Sequence, residues 1–212
     1  MMVKGRKKRK EEKEEKYQER IARAEKRAQQ IGVDTGIIQR FWELVSLFPR
    51  ISDPGLERRV ERFILLASPD QYFRMQCAVF AEATPYLMED ARMRKLMVDL
   101  DGKKIGLAVR DEYESTVTLD HNCFQVRQGI TNGIPVITVM SRRDYADAIL
   151  SRKDPVKMIL SRKIRASHKV TLLRWVLPQI DLLKEEGLLE KYLSYQDELE
   201  RVLEQNLTAM GY

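Results

Sequence analysis

The chain has 212 residues, 43% of them apolar and 33% charged, with two cysteines and a formal net charge of +6. That length accommodates one sizeable core with appendages. The whole excess of charge lies in residues 1–30, which hold 12 Lys/Arg against 6 Glu and leave 26 of each sign in the remainder. The body is therefore electroneutral, and a field steering a nucleic acid onto it is not expected.

Cys77 and Cys123 lie 46 residues apart with no CxxC spacing, which argues for neither a disulfide framework nor a zinc site, so both read as reduced thiols, Cys77 in the core. A charged N-terminus and the lack of a long apolar run argue against a secretory leader or a membrane span, and a cytoplasmic protein is expected. No metal or cofactor is called for.

Residues 4–30 alternate basic and acidic blocks, with Glu12/Lys16 and Glu19/Arg23 at the helical i,i+4 spacing. A solvated charged helix or a disordered arm results. Its Arg6 to Lys10 cluster also suits peripheral contact with an anionic membrane, where each basic residue contributes about 1 kcal/mol. Ile37, Phe41, Leu44, Val45 and Phe48 then follow a helical period that Pro49 stops.

Three Ser/Thr/Asp-Pro pairs follow, at Asp53-Pro54, Ser68-Pro69 and Thr84-Pro85, each the signature of an N-cap with proline at the first helical position. They predict three helices, the last continuing through "YLMEDARMRKL" to about Met97. The first turns Leu56, Val60, Phe63, Ile64 and Leu65 inward.

After Asp101-Gly102 the period changes to two. Ile105, Leu107 and Val109 fall on one face of a strand, followed by strands over 116–119 and around Phe124 and Val126. This reads as an antiparallel meander. The Asn132-Gly133 turn leads to a fourth strand over 135–140, carrying Ile137 and Val139.

Ser141 then caps a helix with Asp144 three residues on and Tyr145, Ile149 and Leu150 as its stripe. Asp154-Pro155 starts another, with Val156, Ile159 and Leu160 inward. "KIRAS" is a short strand, and a helix with Val170, Leu173, Val176, Leu177 and Ile180 follows, kinked by Pro178. Beyond Gly187 a last amphipathic helix carries Leu188, Tyr192, Leu199, Val202, Leu203 and Leu207, and it suits its own domain or a second copy in a homodimer.

Four strands, two helices, a short basic strand and an apolar helix form an order that resembles the sterol carrier protein type two family of lipid-binding domains. The resemblance covers roughly residues 87–183. It is carried by "GKKIGLAVRD", similar to that family's first strand, and by "VITVMSRRDYADAILSRKDPVKMILSRKIRAS", similar to its fourth strand, following helices and last strand. The family has glycines before and after that last strand, where this chain has Arg162 and His168. Glycine there admits positive φ, which other residues adopt at a cost.

The resemblance implies an α+β fold, with a curved, mainly antiparallel five-stranded sheet covered by helices on one face and extra helices at both ends. It implies a lipid-binding domain over 87–186, while the residue patterns outside it give a charged arm over 1–33, helical or disordered, a helical extension over 34–86 and a C-terminal amphipathic helix over 187–212. It also implies non-catalytic binding, transfer or presentation of a lipid or other hydrophobic metabolite in an apolar tunnel. The tunnel residues would be Phe124, Val126, Ile137, Val139, Tyr145, Ile149, Ile159, Leu173, Trp175 and Val176. By spacing alone these residues equally suit a dry core.

His121 and His168 are the only histidines. "LDHNC" around His121 reads as a turn, since no base and orienting group complete a catalytic set. The chain is not expected to be an enzyme. A scaffold protein with a structural core and a basic arm that contacts membrane, RNA or protein is the alternative.

Overall fold

The computed structural model describes residues 51–120, 123–153, 158–159, 161–183, 185 and 187–212. The charged arm, the helix expected around Ile37 to Phe48, the "LDHNC" histidine and most of the Asp154-Pro155 helix lie outside the described residues. Of that last helix, Met158 and Ile159 are described, and Met158 is buried.

Helices α1 (Pro54–Leu66) and α2 (Pro69–Glu89) start where the Asp-Pro and Ser-Pro pairs place them. The Asp53 carboxylate accepts from the backbone N–H of Gly55 and Leu56, at 2.8 and 3.0 Å. Ser68 and Gln71 form a reciprocal capping box. Thr84-Pro85 does not start a third helix. Its hydroxyl turns back onto the Phe80 carbonyl at 2.6 Å, and α2 runs on through the exposed Pro85.

The break comes instead at Asp90. Its extended backbone ends α2, and its carboxylate caps α3 (Ala91–Val98) through the N–H groups of Arg92 and Met93.

A five-stranded sheet follows: β1 (Lys104–Val109), β2 (Tyr113–Asp120), β3 (Cys123–Gln128), β4 (Val136–Val139) and, later, β5 (Ile164–Ala166). The spatial order is β3-β2-β1-β4-β5. The first three strands form the expected meander. The fourth does not extend it: β4 crosses to the far side of β1 and pairs with it in parallel, Gly106 opposite Val136 and Val109 opposite Val139. The sheet is thus mixed and mostly antiparallel, in an α+β fold.

Between β4 and β5 lies α4 (Arg142–Ile149), capped by Ser141, whose hydroxyl accepts from the Asp144 N–H. After β5 come α5 (Lys169–Leu183), α6 (Leu188–Leu193) and α7 (Gln196–Ala209). The buried side of α5 runs through Leu172 and Leu182, while Val170 stands in solvent at 53% exposure. The single helix expected beyond Gly187 is two, separated at Ser194-Tyr195, where the Ser194 hydroxyl bonds the Lys191 carbonyl.

Two apolar clusters fill the helix side of the sheet. One joins Phe63 and Ile64 of α1, Tyr72 and Met75 of α2, Leu207 of α7 and the β1–β2 corner at Val109 and Tyr113. Tyr72 is its hub. It stacks on Tyr113 at 5.3 Å between ring centroids, lies 5.3 Å from Phe63, and donates its hydroxyl to the Ile64 carbonyl. The second cluster joins Met93 and Met97 of α3, Leu119 of β2, Leu182 of α5 and Leu188 of α6.

Candidate binding site

Strand alternation and register together define the face that the helices cover. Tyr113, which meets Tyr72, and Leu119, which meets Met93 and Met97, are on the same side of β2 as Ser115 and Val117. Their cross-strand partners share that side. Ile105, Leu107 and Val109 come from β1, Phe124 and Val126 from β3, Ile137 and Val139 from β4 by way of β1, and Ile164 and Ala166 from β5.

Cover over this inner face is uneven. Helix α2 packs on β3 and β2, with Phe80 5.0 Å from Phe124, and α4 packs on β4. Helix α5 packs chiefly against α3 and α6, and β1 chiefly against its two neighbours in the sheet. A lane of apolar side chains consequently stays half-buried between the two clusters: Ile105 and Leu107 on the central strand, Ile137 beside them, and Phe124 and Val126 across β2.

Of the tunnel residues read from the sequence, Phe124, Val126, Ile137 and Val139 share the inner face, Val139 being buried. Tyr145 packs on the Tyr72 cluster, its ring 6.2 Å from that of Tyr72, and burial pushes its phenol up to about 12. Leu173, Trp175 and Val176 on α5 are half-buried, as is Ile159. Ile149 stands in solvent at 49% exposure. An open recess of about 350 Å³ is lined by Ile51, Glu57, Leu150, Ser151 and Arg152, and none of the tunnel residues borders it.

No family model matches the chain, and no curated protein does. Seven chains among solved structures match it. One is titled UbiJ-SCP2 ubiquinone synthesis protein, at 11% identity and a TM-score of 0.40, covering 55% of this chain and 100% of that one. Another is the solution structure of sterol carrier protein domain 2 of Helicoverpa armigera, at 18% identity and a TM-score of 0.31, covering 60% and 86%.

Charge is kept to the rim. Asp144 accepts from Ser141 and, at 2.7 Å, from Lys163, tying α4 to the start of β5. Burial works to raise its carboxyl, and the bonds from Lys163 and Ser141 outweigh it, holding Asp144 below the ordinary carboxylate value. Arg142 donates to the Ala67 carbonyl at 2.7 Å and to Glu112, with its guanidinium 5.6 Å from the Tyr72 ring centroid. Among the described residues no group of His, Cys, Asp or Glu side chains is placed to hold a metal ion.

The sequence reading did not single out Leu107, Ala166, Phe80 or Ser115 as site residues. Leu107 was placed on the correct strand face. Its position opposite Ile137 depends on the parallel β1–β4 pairing, which local patterning does not encode.

Proposed function

We propose that this protein binds a hydrophobic small molecule of the lipid class between the inner face of the sheet and the surrounding helices, and that it holds or presents this molecule without chemically changing it. One observation carries the reading. The apolar lane through Ile105, Leu107, Ile137 and Val126 lies on the helix side of the sheet and yet stays half-buried, where a dry core would have closed over it. The order of elements, read in the sequence as sterol-carrier-like, adds weight to it.

The energetics are favourable. Each methylene removed from water contributes about 0.8 kcal/mol, so a chain of about twelve gives about 10 kcal/mol before the cost of ordering. No polar contact is needed for affinity on that scale. Selectivity must come from elsewhere.

Native mass spectrometry of gently purified protein, followed by solvent extraction, is the test, together with titration of the neutral fluorophore N-phenyl-1-naphthylamine. A co-purifying apolar molecule, or fluorophore binding that Leu107→Trp weakens at least about tenfold while the fold is kept, is expected. Empty protein that leaves the fluorophore unchanged overturns the reading.

A further inference from the structure

Strand β5 ends the sheet on the β4 side. The Lys163 carbonyl accepts from the Met140 N–H and the Ser167 N–H donates to the Val136 carbonyl, each at 2.9 Å, with Arg165 opposite Thr138 between them. In an antiparallel pair the hydrogen-bonded residues alternate, so residues 163, 165 and 167 spend their backbone groups on β4. The N–H and C=O groups of Ile164 and Ala166 therefore point away from the sheet, and no described strand pairs with them.

Charge along this edge has one sign. Residues 155–180 hold six Lys/Arg and no Asp or Glu, in a body that is electroneutral as a whole. Lys163 is spent on Asp144. Arg162, Arg165, Lys169 and Arg174 are exposed, and none has an ion pair among the described residues. Cations on an edge strand keep copies of one chain apart, because each meets its own charge. Toward an acidic partner they act in the opposite sense.

Register dictates the pattern of that partner. A strand added to β5 turns every second side chain to the inner face, beside the half-buried Ile164 and Ala166, and the intervening ones to the outer face beside Arg165. An anionic membrane would answer the charge, but it offers the strand edge no ordered row of donors and acceptors. We propose that the open edge of β5 receives an extended acidic segment of a partner protein, with apolar and Asp/Glu residues alternating, as an added strand. Backbone hydrogen bonds hold the segment, Arg165 pairs with its acidic side, and Arg162 and Lys169 draw it in at the two ends of β5. The edge is open to it whether or not the lane is filled.

The test is fluorescence anisotropy of a fluorescein-labelled octapeptide of alternating glutamate and valine, titrated with the full chain. Its isomer with all the glutamates first is expected to bind at least about fivefold more weakly, since it cannot match both faces. Of two further versions, N-methylated at the valines or at the glutamates, one is expected to bind at least about fivefold more weakly than the other, because a strand turns alternate N–H groups to its neighbour. Arg165→Glu is expected to weaken the parent peptide at least about tenfold while the urea midpoint stays in place.

Failure of the alternating peptide to bind overturns the proposal, as the cations then only guard the edge. Equal binding of the two isomers, or of the two N-methylated versions, overturns it as well, since charge alone would account for the affinity. Sedimentation of the protein with phosphatidylserine vesicles that Arg165→Glu abolishes, with the peptide left unbound, gives the edge to a membrane and also overturns it. The peptide comparisons need no variant, so they decide the matter even where Arg165→Glu disturbs the fold.

Discussion

Arg162 and His168 bracket β5 with left-handed backbone, at φ angles of 61° and 48°. Arg162 closes the turn from the preceding helical residues, its N–H on the Ile159 carbonyl at 3.0 Å, and His168 accepts at its carbonyl from the Leu172 N–H as α5 begins. These are the two positions where the resembled family has glycine. Both residues carry side chains on left-handed backbone, at a cost in strain.

Arg162→Gly and His168→Gly are therefore expected to stabilise the fold. Left-handed backbone costs a non-glycine residue about 1–2 kcal/mol, and glycine's greater freedom when unfolded offsets about 0.5–1 kcal/mol of that. Each variant should gain about 0.5–1 kcal/mol, and the pair, lying at opposite ends of β5, should add. Urea midpoints measure this. A loss of stability in both would mean that the side chains supply contacts outweighing the strain.

The Asp144–Lys163 pair predicts a pH profile. Asp144 is held below its ordinary value in the folded state, so its contribution is present above the unfolded carboxylate range and is lost as pH falls through the lowered folded value. Lys163 is raised, chiefly by its bond to Asp144, so its contribution is complete below the ordinary lysine value and is lost as pH rises through the raised one. Asp144→Asn should flatten the acid limb and leave neutral-pH behaviour less salt-sensitive. Lys163 is partly exposed, so the effect is modest. Equilibrium unfolding from pH 2 to 7 checks it.

Gly106 marks a close approach on the outer face of β1. A Cβ there would meet Ile130 Cδ1 at 2.8 Å and Val136 Cγ2 at 3.0 Å. Gly106→Ala is expected to cost about 1–3 kcal/mol by overpacking. Ile130→Val removes the nearest clashing atom and should recover a good part of that loss in the double variant, a coupling readable in a double-mutant cycle.

Arg142 fastens the end of α1. Its guanidinium meets the carbonyls of Leu65 and Ala67, both Glu112 contacts and the Tyr72 ring. Arg142→Met keeps much of the stem but leaves the Ala67 carbonyl and Glu112 without their donor. A loss of about 2–3 kcal/mol in unfolding free energy is expected, and Arg142→Lys should restore little of it, since one ammonium cannot reach all of these partners.

Much of the fold was legible where the signal was local. Asp53, Ser68 and Ser141 each declare a helix start because the capping side chain bonds the backbone two or three residues on. The alternation of Ile105, Leu107 and Val109, and of Phe124 and Val126, placed the inner face by an equally local signal. Thr84-Pro85 carried the same letters as Ser68-Pro69 and failed. A threonine hydroxyl has two local choices, and inside a helix already packed on the sheet it takes the carbonyl behind it rather than the N–H ahead. The parallel pairing of β4 with β1 was not legible, because a meander and a crossover share the same strand periodicity. The candidate site was half legible: its apolar lining follows from alternation, while the incomplete cover over it depends on how α2, α4 and α5 pack, which local patterning does not encode.

Helix α7 lies against α1 and α2, with Glu200 holding the Ser52 N–H and hydroxyl at 2.9 and 2.8 Å, Arg59 reaching the Tyr212 carbonyl, and Leu207 wholly enclosed. The two ends of the described chain are thus one structural unit, and this sets an order of events during synthesis. The apolar sides of α1 and α2 leave the ribosome before the strands and α4 that cover much of them, and more than a hundred residues before α7, which completes the cover. Contacts of such long range close late and at high entropic cost, so part of that apolar surface stays exposed until α7 is made. The yield of folded protein should therefore depend on what shields that surface until α7 docks.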